Sequence, residues 1–446
     1  MFENIIDQGA VLQISDDINN NRIAPSMLFY GPRDSAKGSS ALELSRVLSC
    51  NKDASWKCSC ASCGQHRYLQ NDDLLVMGNR SFSAEISACH NAFLQNHSSQ
   101  GAKLIFLRSL RKLILRFSPV LMEDDPKLSK ISGVLQSLDE RLSEFSSSEQ
   151  AEKAALEKTC ASLVKDALTL ENDGLSGNIP VGQIRKASYW CRLAPNGKRK
   201  MLIIENADNM KEEGRNSLLK LLEEPPSSVS IVLTSQRREA IMPTILSRLR
   251  PYRFLKRSAE SEKEVLRRVF QINEIDENIN KNGLIISAFL DSFLPQKGEK
   301  LESLAAWFLV SLARIVSVSA RRNGGKMPAV LQTLGERYAP IADAAGFERS
   351  LNGADVIKTI LSQSGNFEND SFQRFIKICL DLVCDVTRTE ENPQYIEYYE
   401  IIKKYTNEAV TSADVLNINT TIVLESLFYK LKTAVSKVMP SGRLYG

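Results

Sequence analysis

The sequence predicts an α/β domain built on a parallel β-sheet, followed by an all-helical second half. Up to about residue 255, short apolar runs alternate with segments of helical period, which is typical of parallel strands joined by crossover helices. A loop at 31–40 that contains glycine and lysine lies between the first apolar run and a helical segment. Beyond residue 256 the helical period continues and the sequence contains no convincing strand.

Length and composition are those of a soluble globular protein. The 446 residues suggest about three domains, and the net charge of +4 permits contact with nucleic acid without indicating it. The sequence contains no run of about 18 apolar residues, so we expect no membrane span. The acidic N-terminal segment lacks the basic start of a secretory signal. We therefore expect a cytoplasmic protein whose nine cysteines are metal ligands or core thiols rather than disulfides.

The loop at 31–40 matches the phosphate-binding pattern G-x-x-x-x-G-K-[ST] only in part. Gly31 and Lys37 occupy the expected positions, after an apolar strand and before a helix. Ala36 replaces the second glycine, and Gly38 replaces the residue whose hydroxyl binds Mg²⁺. The rest of the chain therefore decides whether this loop belongs to a nucleotide site.

Four cysteines follow the helix after this loop, namely Cys50, Cys58, Cys60 and Cys63. Four thiolates on a short excursion are typical of a tetrahedral structural zinc site. The spacing between Cys58 and Cys60 is tighter than the usual C-x₂-C, so one ligand could be displaced, with His66 as a substitute. The alternative is a set of unligated cytosolic thiols.

Residues 84–177 differ from the rest of the first half, because they are rich in Ser, Leu, Lys and Glu and are helical in period. No acidic residue occurs between 101 and 117, where basic and apolar side chains alternate, which predicts a basic amphipathic helix. Such a helix either contacts nucleic acid or packs with a solvated basic face, and we favour packing. Its basic residues are Lys103, Arg108, Arg111, Lys112 and Arg116.

Strands and helices alternate again after residue 178. Asn209 and Glu212 have the spacing of a capping box, which predicts that a helix begins there. Pro225 and Pro226 end that helix. Over the whole α/β half, apolar runs predict five strands, at 26–30, 72–77, 200–204, 229–234 and 252–255.

Several runs in this half are specific enough to indicate a family. They are FENIIDQ at 2–8, KMLIIENAD at 200–208, NSLLKLLEEPP at 216–226 and PTILSR at 243–248. Together with the glycine loop and the cysteine cluster that follows it, they resemble the bacterial DNA polymerase III clamp-loader ATPases. These are the gamma/tau and delta-prime subunits, which belong to the AAA+ class. The likeness covers about 1–80 and 179–255.

The resemblance implies an AAA+ domain at 1–255, with a P-loop and a parallel sheet. Within it, a zinc module lies at 50–66 and a helical insertion at about 84–177. The all-helical second half is compatible in length with a lid domain at 256–298 and a collar domain at 299–446. The four cysteines would be the ligands of a structural Zn²⁺ ion.

The departures from the family pattern fall in the nucleotide site. In active relatives the Mg²⁺-binding strand ends in Asp-Glu, whereas here the two residues are Glu205 and Asn206. Active relatives also carry a lid arginine that contacts the γ-phosphate, but the equivalent segment 283–290 has no basic residue. Thr234 keeps part of the polarity of the family's sensor position. ATP binding is therefore doubtful and turnover is not expected at this vestigial site, which consists of Gly31, Lys37, Gly38, Glu205, Asn206 and Thr234.

Ser247 and Arg248 keep the Ser-Arg pair of the family pattern. In the family this arginine acts in trans, as an arginine finger in the nucleotide site of a neighbouring subunit. A degenerate pocket with an intact finger resembles delta-prime, which implies a non-hydrolysing subunit of the polymerase holoenzyme with no activity of its own. The implied partners are gamma/tau and delta-type subunits in a hetero-oligomeric ring. The sliding clamp and primer-template DNA would be contacted through that complex, without a membrane.

Two other functions stay open. A divergent, ATP-hydrolysing gamma/tau-like subunit is favoured by Lys37 and opposed by Ala36, Gly38 and Asn206. A helical DNA-binding scaffold on a retired AAA+ core would use the basic insertion as its binding element. Arg248 could also be an ordinary surface arginine at the end of a helix.

Overall fold

The chain forms two compact units, Met1–Leu294 and Pro295–Gly446, here called unit 1 and unit 2. The structure is a computed structural model. It describes residues 1–147, 153–176, 178–272, 285–293, 297–322, 329–344, 346–347, 352–364, 369–389, 393–414 and 418–437.

Unit 1 contains a five-stranded sheet in the order β2-β3-β4-β1-β5, and each pairing is parallel. All five predicted strands are present. The last begins at Arg250 rather than at residue 252, although the hydrogen bond from Phe254 N–H to the Tyr30 carbonyl (2.8 Å) continues its pairing. The strands are β1 (Ser26–Tyr30), β2 (Leu74–Gly78), β3 (Lys200–Glu205), β4 (Val229–Ser235) and β5 (Arg250–Arg253).

Helices cover both faces of this sheet. Met27 and Phe29 of β1 belong to one apolar cluster and Leu28 to another, because successive strand residues point to opposite faces. The helices of unit 1 are α1 (Gly9–Asn19), α2 (Lys37–Ser49), α3 (Ala61–Arg67), α4 (Ser83–Gln95), α5 (Gln100–Ile114), α6 (Pro119–Met122), α7 (Leu128–Ser147), α8 (Lys153–Gly174), α9 (Val181–Trp190), α10 (Glu212–Glu223), α11 (Pro243–Leu246), α12 (Ala259–Val269) and α13 (Ile285–Ser292).

Helix α10 begins two residues later than predicted, with Lys211 instead of Asn209 at the N-cap position. Asn209 lies in a 3₁₀ turn, Ala207–Asn209, and its side-chain amide donates to Asn79 Oδ1 (3.1 Å). The residue before the helix is Lys211, which makes no side-chain cap. The predicted capping box is therefore wrong, because the Asn209 side chain has a tertiary partner instead.

Helices α4–α8, in the segment predicted as an insertion, pack into one apolar cluster that also contains α12 and α13. Helices α7 and α8 run antiparallel, as shown by the ion pairs Arg141–Asp166 and Lys130–Asp173, both 3.0 Å. Phe289 of α13 is buried in the same cluster as Phe106 of α5. Helices α4–α8 thus contribute apolar side chains to the core of unit 1.

Unit 2 is helical around a single apolar cluster. The ring of Phe308 lies 5.5 Å from that of Phe375 and 5.6 Å from that of Phe428. Its helices are α14 (Lys297–Arg322), α15 (Ala329–Ala344), α16 (Gly353–Ser364), α17 (Asn369–Thr389), α18 (Pro393–Asp414) and α19 (Thr420–Lys437).

One stretch of α14, Leu301–Arg322, is long and apolar enough to cross a membrane, with a mean hydropathy of 1.7. No other helix in the described part of the chain meets this criterion. Within the fold, 72% of its most apolar window is buried. Trp307 and Phe308 of this stretch are almost fully buried in the cluster of unit 2. Packing in a helical core therefore accounts for its apolar character.

Candidate nucleotide site and zinc centre

The loop between β1 and α2 has the predicted strand–loop–helix context. Ala36, the residue before α2, is left-handed (φ 68°, ψ 20°), a conformation that glycine adopts more readily. Gly31 has φ 153°, and a Cβ there would lie 2.1 Å from the Phe254 carbonyl oxygen. The first glycine of the pattern is thus required by close packing, whereas the position of the second tolerates alanine with backbone strain.

Lys37 is turned back onto its own loop. Its Nζ donates to the carbonyls of Gly31 (2.8 Å) and Pro32 (2.5 Å) and lies 3.3 Å from Ser35 Oγ. The residue is only 9% exposed, and burial lowers the pKa of its ammonium to about 8. Because an ammonium has three donors, the loop itself satisfies the hydrogen-bonding capacity of Lys37.

Glu205 ends β3 beside the first turn of α2. A Cβ on Gly38 would lie 2.5 Å from Glu205 Oε1, so glycine leaves the space that this carboxylate fills. The amino end of a helix favours a negative charge. The structure therefore brings two predicted site residues, Gly38 and Glu205, into direct contact.

Two arginines that the sequence did not assign to this site form ion pairs with Glu205. Arg116, just after α5, donates to Glu205 Oε2, and Arg80 Nε lies 3.0 Å from the same oxygen. Burial alone would raise the pKa of Glu205, but Arg116 and Arg80 hold it below its usual value. Glu85 extends the network through ion pairs with Arg80 (2.8 Å) and Lys112.

Asn206 and Thr234 also bond within the protein. Asn206 has φ 50° and donates its side-chain amide to the Asn79 carbonyl (2.7 Å). Its backbone N–H donates to Thr234 Oγ1 (3.2 Å). The structure thus brings the β3 and β4 ends together as predicted, with an amide where an active relative has a carboxylate.

The four cysteines of the predicted zinc module converge. Their sulfur atoms all lie within 4.8 Å of one another, and all four residues are buried. Cys50 Sγ lies 3.6 Å from Cys58 Sγ and 3.9 Å from Cys60 Sγ. Tetrahedral zinc with Zn–S bonds of about 2.3 Å requires sulfur separations of roughly 3.8 Å. Cys50, Cys58, Cys60 and Cys63 can therefore hold a metal such as zinc.

The surroundings of the cysteines suit thiolate ligands. Backbone N–H groups of Lys52 and Ala54 donate to Cys50 Sγ (3.3 and 3.2 Å), and Arg46 Nη1 donates to Cys63 Sγ (3.1 Å). Such donors stabilise the charge of metal-bound sulfur. His66 lies outside the cluster, since its Nδ1 is 3.5 Å from Ser45 Oγ.

The chain matches the family described as DNA polymerase III, delta subunit, over residues 6–118 and 136–258, more than half of its length. The chain belongs to this family. Membership confirms the predicted resemblance, but its predicted extent is wrong, because the match also covers most of residues 84–177. The parallel sheet followed by helices fits the predicted α/β AAA+ fold with helical domains.

Two individual proteins are also similar. An 84-residue stretch is 34% identical to DNA polymerase III subunit delta' of Pseudomonas aeruginosa, covering 19% of this chain and 26% of that protein. The match thus spans about a quarter of the length of that relative. A solved DNA polymerase III gamma subunit-related protein from Thermotoga maritima is 16% identical, with a TM-score of 0.30, over 58% of this chain and 81% of that one.

In this DNA polymerase III family member the basic side chains of α5 bond to the protein itself. Arg108 donates to the carbonyls of His66 and Arg67, and Arg111 donates to that of Tyr68 (2.7 Å). These carbonyls end α3, where a helix favours cations. The prediction of a packed helix agrees with these contacts, but Arg108 and Arg111 are bonded to the end of α3 rather than solvated.

Arg248 follows α11 and its side chain is 32% exposed. Nη2 donates to Glu223 Oε1 (2.6 Å), and Nη1 bonds to the Thr244 carbonyl and to Ser247 Oγ (3.2 Å). These partners lie outside the predicted nucleotide site. The guanidinium is therefore held in one orientation at the surface of unit 1.

Proposed function

We propose that this chain is a delta-prime-type clamp-loader subunit that does not hydrolyse ATP and supplies Arg248 to a neighbouring subunit. The observation that carries the proposal is the Mg²⁺ position of the site, where Gly38 has no hydroxyl and the Glu205 carboxylate beside it pairs with Arg116. An ATPase subunit of this class holds Mg²⁺ there with a hydroxyl and a carboxylate. A gamma/tau-like hydrolase is therefore the less supported alternative.

The chemistry of the other site residues supports the same proposal. Gly38 has no hydroxyl for Mg²⁺, and the Asn206 amide cannot accept a proton from an attacking water. Phosphoryl transfer depends almost entirely on such positioning and charge stabilisation. We infer that the chain has no ATP turnover and that tight ATP binding is absent.

The setting of Arg248 supports an arginine finger. A finger has to reach a phosphate in another subunit, so it must lie at the surface and keep its charge and orientation. Arg248 is partly exposed and is oriented by Glu223 and Thr244.

We further propose the division of the chain into an AAA+ domain (1–255), a lid (256–298) and a collar (299–446), with structural Zn²⁺ in the cysteine cluster. The partners would be gamma/tau and delta-type subunits in a ring. The sliding clamp and primer-template DNA would be reached through that ring, in the cytoplasm.

The experiment is ATP hydrolysis by the loader reconstituted with its partner subunits. Arg248→Ala should leave the ring assembled and lower hydrolysis at the neighbouring subunit's site on the order of 10³-fold. Arg238→Ala, which removes another exposed arginine, should have no comparable effect. An unchanged rate with Arg248→Ala would contradict the finger, and turnover by the isolated chain would favour the gamma/tau-like alternative.

A further inference from the structure

The ion pairs of Glu205 lie beside the first turn of α2, in the part of the site where a P-loop protein holds its metal. In such proteins a hydroxyl at the position of Gly38 and a carboxylate at the end of the strand bind Mg²⁺ together. Here the Glu205 carboxylate fills the space beside Gly38, and Arg116 and Arg80 both bond to it. The residues present therefore do not fit Mg²⁺.

We propose that Arg116 and Arg80 act as an internal cation in place of Mg²⁺ and keep divalent metal and nucleotide out of this site. The inference rests on the proposed function, since it gives a physical reason why the chain would not hydrolyse ATP. It also extends that function, because unit 1 would keep one arrangement of this site through the loading cycle.

Because Arg116 is buried, a metal ion cannot easily replace it as the partner of Glu205. Arg116 is 5% exposed, and its Nε and Nη1 have no hydrogen-bond partner among the described residues. Burial lowers its pKa to about 10, so it is still charged at neutral pH. The bond to Glu205 is thus the main compensation for a buried guanidinium, and breaking it would leave both charges uncompensated.

The charges around Glu205 also oppose a metal. Arg80, Arg116 and Lys112 face the carboxylates of Glu205 and Glu85, so cations already outnumber anions in this network. A divalent ion would have to enter against this positive charge.

The position of Arg116 is set by the helix that precedes it. Helix α5 is joined to the end of α3 by Arg108 and Arg111, which donate to backbone carbonyls there. Arg116 lies within two residues of the end of α5. The segment predicted as an insertion therefore places the Arg116 guanidinium at the vestigial site.

The test is the effect of Mn²⁺ on the thermal unfolding of the full chain. In Arg116→Met the freed Glu205 should accept Mn²⁺, so low-millimolar Mn²⁺ should raise the unfolding midpoint. The wild type and the double variant Arg116→Met/Glu205→Gln should show no such rise. Arg250→Met is the control, because it removes an arginine that pairs with Asp17 and does not contact Glu205.

Two results would overturn the inference. One is a Mn²⁺-dependent rise, or saturable Mg²⁺-ATP binding, in the wild type. The other is a folded Arg116→Met that responds to Mn²⁺ no more than Arg250→Met does. If Arg116→Met does not fold, Arg80→Met removes the more exposed arginine and is tested in the same way. ATP turnover by the wild type would contradict the proposed function, whereas an inert wild type with an unresponsive variant contradicts this inference alone.

Discussion

The hydroxyl of Ser287, on α13, donates a hydrogen bond to the carboxylate of Asp34 in the loop before α2. Arg257 holds the backbone of the same residue, since its Nη1 donates to the Asp34 carbonyl (2.7 Å). Helix α13 therefore contacts the loop before α2 directly, and Asp34 is held through both its side chain and its backbone.

Ser287→Ala should lower the free energy of unfolding by about 1–2 kcal/mol, because a hydrogen bond to a partly buried carboxylate is lost. Urea denaturation measures the change. Ser292→Ala is the control, since that hydroxyl bonds to the Phe289 carbonyl within its own helix. Equal losses in the two variants would mean that the contact with Asp34 adds nothing specific.

Metal analysis of the purified protein should find about one zinc ion per chain. Cys60→Ser should lose the metal and lower the unfolding midpoint, because three thiolates bind zinc more weakly than four. Cys384→Ser, outside the cluster, should keep the zinc. Wild-type protein without zinc would mean that the four cysteines are plain thiols.

The stability contributed by Glu205 should depend on pH. Its pKa in the folded chain is below the ordinary value of 4.5, so the unfolded chain binds the proton more readily. This stability is present above pH 4.5 and is lost as the pH falls through the lower folded value. The difference in unfolding free energy between wild type and Glu205→Gln should therefore shrink below pH 4.5.

Urea denaturation at a series of pH values measures this difference. Glu264→Gln is the control, because it removes a carboxylate from an exposed ion pair with Arg267. Its effect should be small at every pH. If the difference in unfolding free energy between wild type and Glu205→Gln stays constant through the acidic range, the ion pair with Arg116 does not stabilise the folded chain as expected.

Glu223→Gln should slow ATP hydrolysis by the reconstituted loader about two- to fivefold, because an exposed ion pair contributes up to about 1 kcal/mol to holding Arg248. The change should appear in kcat rather than in KM. Glu224→Gln is the matched control, since the neighbouring carboxylate is exposed and Arg248 bonds to Glu223. Equal hydrolysis rates for the two variants would show that Glu223 does not position Arg248.

The sequence marks candidate site residues where they lie in local motifs. Lys37, Glu205 and Asn206 were predicted because a glycine loop and a strand end mark them, and their role stays a prediction. Arg116 was recognised only as part of a basic helix, since its partner Glu205 lies 89 residues away and is chosen by tertiary packing. The capping-box prediction at Asn209 was wrong for the same reason, because the Asn209 amide donates to Asn79, which lies on another part of the chain.

The shared apolar cluster of α4–α8 with α12 and α13 restricts how this protein can evolve. Residues 84–177 cannot be removed as an optional loop, because Val265, Phe270 and Phe289 would then lose the surface that buries them. A packed interior tolerates little change in volume. Substitutions in the two segments should therefore be correlated among close relatives, with a larger side chain in one matched by a smaller one in the other.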